Sequence, residues 1–157
     1  MSGTPSLQWS VYTFAALGTQ LLHDILRLRV DVFVVEQNCP YPELDGLDLN
    51  AIHVVGREAD GEVIAYARIL PPGADARPHI GRVVVARAHR REGHGKHLME
   101  NALREVEARY GNRRSALAAQ AYLKEFYAGF GYVTVGPEYL LDGIPHVDMF
   151  MEEATTA

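Results

Sequence analysis

The stretch Ile80–Asn101, IGRVVVARAHRREGHGKHLMEN, constrains this chain more than any other. A β-branched run, Val83 to Val85, leads into a basic turn containing Gly93 and Gly95, and a strongly amphipathic helix begins directly after it. A strand, a glycine turn and a helix N-terminus in that order make an anion site. Successive backbone N–H groups point outward there, and the helix dipole adds partial positive charge. Glycine lets an anion approach the backbone closely, and Arg90 and Arg91 add full charges beside it. A phosphate-bearing ligand is therefore expected on the turn, against Gly93, His94, Gly95 and Lys96.

Two common phosphate motifs are excluded by spacing. A Walker A loop needs a glycine five residues before Gly95 and Ser or Thr after Lys96, but Arg90 and His97 stand there. A dinucleotide fingerprint starting at Gly93 and Gly95 meets Leu98 where its third glycine belongs. The pattern that does fit is R-x-x-G-x-G, Arg90 to Gly95, which resembles the acyl-CoA pyrophosphate loop of the GNAT family of N-acetyltransferases.

The 157 residues suit one domain with a full-sized core, expected over residues 7–153 with flexible ends at 1–6 and 154–157. A net charge of −5 argues against a general nucleic-acid binder. Arg82, Arg87, Arg90, Arg91 and Lys96 nevertheless cluster around the glycine turn, which suits a small polyanion. The single cysteine, Cys39, excludes an intrachain disulfide and fits a reducing compartment. It is expected as a partly buried thiol. With no apolar run of membrane-spanning length and no basic-then-apolar start, the expected location is cytoplasmic, with no membrane partner.

In chain order, Leu7 to Phe14 reads as a strand, and a helix capped by Thr19 is expected from Gln20 to Val35. Glu36 to Asn50 is too rich in Pro, Asp and Gly for one regular element. Its carboxylates Glu36, Glu43, Asp45 and Asp48 read equally as a site for a cationic amine or as caps and solvent contacts. Ala51–Glu58 and Glu62–Leu70 form a hairpin, and Ile80–Val85 is the strand before the turn. A helix from Gly95 to Tyr110 follows, with Glu100–Arg104 and Glu105–Arg109 as i,i+4 pairs. Then come a strand at Ser115–Ala119, a helix at Ala121–Gly129, and strands at Val133–Val135, Glu138–Leu141 and His146–Met151.

A second constellation lies in QAYLKEFYAGFGY, Gln120 to Tyr132. GNAT proteins carry after their fifth strand an Asn, then a Tyr seven residues on, then a Gly and an aromatic residue. Gln120, Tyr127, Gly131 and Tyr132 occupy those positions, with Gln120 a departure that keeps the amide on a longer stem. The segments LRLRVDVFVVEQNCPYPELDGLDL, VIAYARIL, IGRVVVA, AAQAYLKEFYAGFGY and DGIPHVDM resemble the ElaA subgroup of GNAT proteins. The resemblance implies an α+β fold, with a mixed, mostly antiparallel sheet of about seven strands flanked by about four helices.

It also implies a reaction. Acetyl-CoA is the expected co-substrate, its pyrophosphate on the 90–95 turn and its pantetheine arm along Val83, Val84 and Val85, with Gln120 in contact. A backbone N–H near Val84 or Val85 would stabilise the oxyanion formed by direct attack of a primary amine. Tyr127 would protonate the departing thiolate. As a helix aromatic beside Phe126 and Phe130, Tyr127 also reads as core. For the general base, Glu36, His53, His79 and His146 are candidates; His146 is ranked first, and Glu36 and His53 are assigned to the substrate side. His79, His94 and His97 lack a compact metal spacing, so no metal is expected. The competing readings are an acyltransferase using acyl-CoA or acyl-carrier protein, like the acyl-homoserine-lactone synthases, whose N-terminal region R-x-x-V-F-V-x-E (Arg29 to Glu36) brings to mind, and a non-catalytic acyl-CoA-binding module. The acceptor, small molecule or protein amine, is open, as is oligomeric state, a homodimer being one option.

Overall fold

The computed structural model describes residues 6–152. Apart from Ser6, the flexible ends expected at 1–6 and 154–157 lie outside the described residues. All strands join one seven-stranded sheet in the order β1-β2-β3-β4-β5-β7-β6. They are β1 (Gln8–Thr13), β2 (Ile52–Arg57), β3 (Val63–Leu70), β4 (His79–Val85), β5 (Ser115–Gln120), β6 (Val133–Leu141) and β7 (Ile144–Met151). Every pairing is antiparallel except β4 with β5.

The helices α1 (Thr19–Val30), α2 (His94–Tyr110) and α3 (Lys124–Ala128) cover the sheet. Alternation along the strands sends neighbouring side chains to opposite faces, so both faces can be buried. Ile25 and Leu28 of α1 share a core with Val55, Tyr66 and Val84. Leu98, Met99, Ala102, Leu103 and Val106 of α2 share the other with Val54, Ile64, Leu117 and Tyr127.

Five local expectations are corrected. Thr19 does not cap α1: Gly18 holds the N-cap with φ 75°, and Thr19 is already helical. The helix does not continue as α to Val35; from Asp31 to Glu36 it widens into a π-turn, with Gln37 N–H donating to the Val32 carbonyl at 3.1 Å. Such insertions recur at functional sites because they re-aim the side chains beyond them. The helix expected at Ala121–Gly129 opens instead as a 3-10 turn over Ala121–Leu123. The two strands expected at Val133–Val135 and Glu138–Leu141 are one, β6, with an irregularity in register between Val135 and Tyr139. Pro137 is tolerated there because β6 is an edge strand. Of the two pairs expected on α2, Glu105 meets Arg109, while Arg104 turns to Asn101.

The acidic loop is held down by buried charge. Arg29, fully buried on α1, donates to both carboxylate oxygens of Glu43 at 2.9 Å and to Asp48 at 2.8 Å. Arg68 of β3 reaches the same Asp48 oxygen at 3.0 Å and Asp45 at 2.6 Å. Arg82 of β4 donates to the Glu43 carbonyl at 2.9 Å. Burial alone would lower the Arg29 pKa, but its hydrogen bonds to Glu43 and Asp48 outweigh that and raise it. The Arg68 hydrogen bond holds the Asp45 carboxyl well below the usual carboxylate range. Three loop carboxylates are thus committed to three arginines. The option that Glu43, Asp45 and Asp48 bind a cationic amine is not supported.

Candidate active site

The site begins where β4 and β5 part. They pair at one position, His79 with Ala116, and diverge beyond it. On its other side β4 stays paired with β3 as far as Val85, but the register slips between Tyr66 and Arg68, opposite Arg82 and Val83. Arg82 takes φ 50° at this bulge, a left-handed conformation disfavoured for a residue with a side chain. Its anchoring to Glu43 and Asp45 accompanies that strain. The β5-facing edge of Val83–Val85 is therefore free of a strand partner, and a cleft of about 730 Å³ opens along it.

The glycine turn closes one end of the cleft. Arg91 and Gly93 both have positive φ, 66° and 83°, and α2 starts at His94. The first helical residues, His94 and Gly95, line the cleft, and the orphan N–H donors of a helix start favour an anion. Arg90, Arg91, Gly93, His94 and Gly95 all line the cleft, whereas Lys96 is exposed and lies off its wall. Arg90 is not idle: it donates to the Val85 carbonyl at 3.1 Å and grips Glu36 through two hydrogen bonds. The Arg90 hydrogen bond lowers the Glu36 pKa. Glu36, expected on the substrate side, thus stands at the glycine-turn end of the cleft, at the close of the π-turn.

The far side is built by β5, α3 and β7. Gln120 and His146 are directly opposed in the β5–β7 ladder, and both line the cleft. Gln120 contacts Gln37 at 3.4 Å. His146 Nδ1 lies 2.7 Å from the Ile144 carbonyl. A carbonyl only accepts, so Nδ1 donates, and in the neutral ring that tautomer leaves the lone pair on Nε2. Tyr127, 6% exposed, also lines the cleft, packed edge-on against Phe126 and Tyr132. Tyr132 spends its hydroxyl on Ser115 at 2.7 Å; among the described residues no side chain does this for Tyr127. Burial raises the Tyr127 pKa, so its phenol stays protonated at neutral pH.

His53 does not join them. It is 1% exposed, its two nitrogens lie 2.6 Å from the Tyr66 hydroxyl and 3.0 Å from the Asp48 carbonyl, and burial lowers its pKa. It reads as a core residue beneath the ion network, away from the cleft. His79 lines the cleft but pairs with Asp75 at 2.7 Å. Cys39 is buried and donates to the Asp142 carbonyl at 3.3 Å, as a packed thiol does. Sequence reasoning missed Arg29 and Arg68 as anchors of the acidic loop and grouped Arg82 with the glycine turn, whereas it donates to Glu43; the one signal for Arg68 and Arg82 as anchors was a lone arginine in each of two apolar strands.

Comparison with known proteins agrees with this architecture. An acetyltransferase (GNAT) domain family matches residues 29–153. Protein ElaA of Escherichia coli is 42% identical over 149 residues, covering 93% of this chain and 97% of its own. Its crystal structure superposes with a TM-score of 0.86. An acyl-CoA N-acyltransferase from Pseudomonas aeruginosa superposes with a TM-score of 0.89 at 42% identity, covering 94% of this chain and 100% of its own. A CoA-dependent acyl-homoserine lactone synthase shares the fold at 16% identity, with a TM-score of 0.72 and coverage of 93% of this chain and 84% of its own. With a parted strand pair ending at a glycine turn, and close relatives along nearly its whole length, the chain belongs to the GNAT acetyltransferases and, within them, to the ElaA-like group.

Proposed function

We propose that this protein transfers an acetyl group from acetyl-CoA to a primary amine by direct attack. The observation that carries the reading is the divergence of β4 from β5 beyond His79, which leaves the Val83–Val85 edge open toward the glycine turn. Such an edge accepts an extended, amide-bearing arm as an added strand. The N–H groups of the 91–95 turn then meet the pyrophosphate, and Arg90 exchanges Glu36 for phosphate. Gln120 supplies an amide to the arm.

In the transfer step the amine nitrogen bonds to the thioester carbonyl carbon and the carbonyl oxygen becomes an oxyanion. A backbone N–H of Val84 or Val85 stabilises it. Collapse breaks the C–S bond, and Tyr127 gives its proton to the departing sulfur. His146 Nε2, the free nitrogen of a ring held by the Ile144 carbonyl, takes the amine's proton directly or through water. Arg29 and Glu36 mark the ends of the segment reminiscent of the acyl-homoserine-lactone synthases, yet one is buried in the ion network and the other pairs with Arg90. The R-x-x-G-x-G turn and 42% identity to Protein ElaA, against 16% to the synthase, support the amine transferase.

The test is thiol release from acetyl-CoA against a panel of amines. Amine-dependent release is expected, and its absence with every amine class would leave only a binding module. Within that assay Tyr127→Phe keeps the ring and its packing and deletes one hydroxyl. A CoA thiolate can leave unaided at some cost, so the expected loss in kcat is at the low end for an acid, roughly ten- to a hundred-fold or about 1.4–2.7 kcal/mol of barrier. Melting temperature and acetyl-CoA affinity should be nearly unchanged. A folded, fully active variant would remove Tyr127 from the mechanism.

A further inference from the structure

At the glycine turn, beside the main cleft that His89 and His94 border, three side chains converge that the acyl transfer does not use. His94 Nε2 and His89 Nδ1 approach the same carboxylate oxygen, Glu92 Oε1, at 3.0 and 3.6 Å. The ligand atoms of all three residues lie within 4.8 Å of one another. Adjacent ligands around a tetrahedral zinc with bonds of 2.0–2.2 Å sit about 3.4 Å apart, so this set needs only small adjustments to close on one ion. His89 presents its other nitrogen, Nε2, to Glu58 Oε1 at 3.2 Å. A ligating histidine whose second nitrogen faces a carboxylate is the arrangement that fixes a metal-binding tautomer.

We propose that His89, Glu92 and His94 form a binding site for a divalent transition metal, best matched by Zn²⁺, with Glu58 orienting His89. Two imidazoles and one carboxylate are a zinc-type donor set, and they are too few and too nitrogen-rich for Mg²⁺ or Ca²⁺. An entry route exists. His94 borders not only the main cleft but also a second cavity of about 310 Å³, whose wall includes Glu92. His94 is 5% exposed, which fixes one ligand within the fold, while Glu92 and His89 are accessible enough to admit an ion. The ion would tie the 3-10 turn at Arg87–His89 to the first residue of α2 across the glycine turn. The sequence trio His79, His94 and His97 is not the set that folding gathers: His79 is paired with Asp75, and His97 is outside the cluster.

The experiment is calorimetric titration of the tag-free full chain with ZnCl₂, without CoA. One saturable equivalent is expected. His89→Ala and Glu92→Gln should each weaken it at least about tenfold, and Glu58→Gln about ten- to a hundred-fold, as outer partners of metal ligands do. His97→Ala, an exposed histidine one turn along α2, should leave it unchanged, and MgCl₂ should give no binding in the same range. No saturable binding by the unmodified chain, or affinity indifferent to both His89→Ala and Glu92→Gln, would show that the cluster is a hydrogen-bonded group only. Cobalt(II) adds a readout that needs no variant: the intense visible band of a four-coordinate ion is expected, and the weak spectrum of a six-coordinate aquo ion overturns the site.

Discussion

Gly95→Val is expected to yield a folded protein that no longer holds CoA. A Cβ at this position meets only the Phe126 ring, at 3.6 and 3.9 Å, which is ordinary contact. Within a helix, moreover, Val is no worse a former than Gly. The fold therefore has no reason to fail. The phosphate seat does, because the methyls stand beside the N–H groups that would receive the anion. Losing two charge-assisted hydrogen bonds costs roughly 3 kcal/mol or more, at least about a hundredfold in affinity. Calorimetry on the folded variant decides it, and unchanged CoA affinity would remove the 90–95 turn from the site.

Arg29→Leu carries the largest expected loss of stability. It strips Glu43 and Asp48, 4% and 7% exposed, of their shared guanidinium and leaves buried carboxylates short of a partner. Removing one member of such a group costs roughly 3–5 kcal/mol, against a total domain stability of about 5–15 kcal/mol. Urea denaturation should show the midpoint falling steeply. Arg27→Leu, which breaks only the exposed pair with Asp31 at 3.9 Å, should leave the midpoint in place. An Arg29→Leu midpoint equal to the parent's would mean the network contributes nothing to stability. Because Glu43 also holds Arg82 at the β4 bulge, partial loss of cleft geometry is expected alongside.

The parts of this architecture legible in the sequence were those written locally. Strand Val83–Val85, glycine turn and helix lie within one stretch, and their order in the sequence is their order in the fold. The hairpin at Ala59-Asp60-Gly61 and the core stripe of α2 are equally local. What was not legible depends on residues distant in sequence. The carboxylates of the acidic loop read as free until Arg29, Arg68 and Arg82 arrive from three other elements. His53 read as a site residue because nothing local says that Tyr66 and the Asp48 carbonyl will take both its nitrogens. Gly136-Pro137 read as the end of a strand because the edge position of β6, which excuses a proline, is a property of the sheet. The π-turn that carries Glu36 to Arg90 leaves no pattern distinct from an ordinary helix end.

The central claim is that the opening between β4 and β5 is an acyl-CoA cleft with its pyrophosphate end at the glycine turn. A crystal structure of the complex with CoA tests it most directly. The account predicts the pyrophosphate on the N–H groups of residues 91–95, the pantetheine arm paired with the edge of Val83–Val85, and the sulfur within hydrogen-bond reach of the Tyr127 hydroxyl. CoA bound away from that edge, or with its sulfur directed away from Tyr127 and His146, would contradict it.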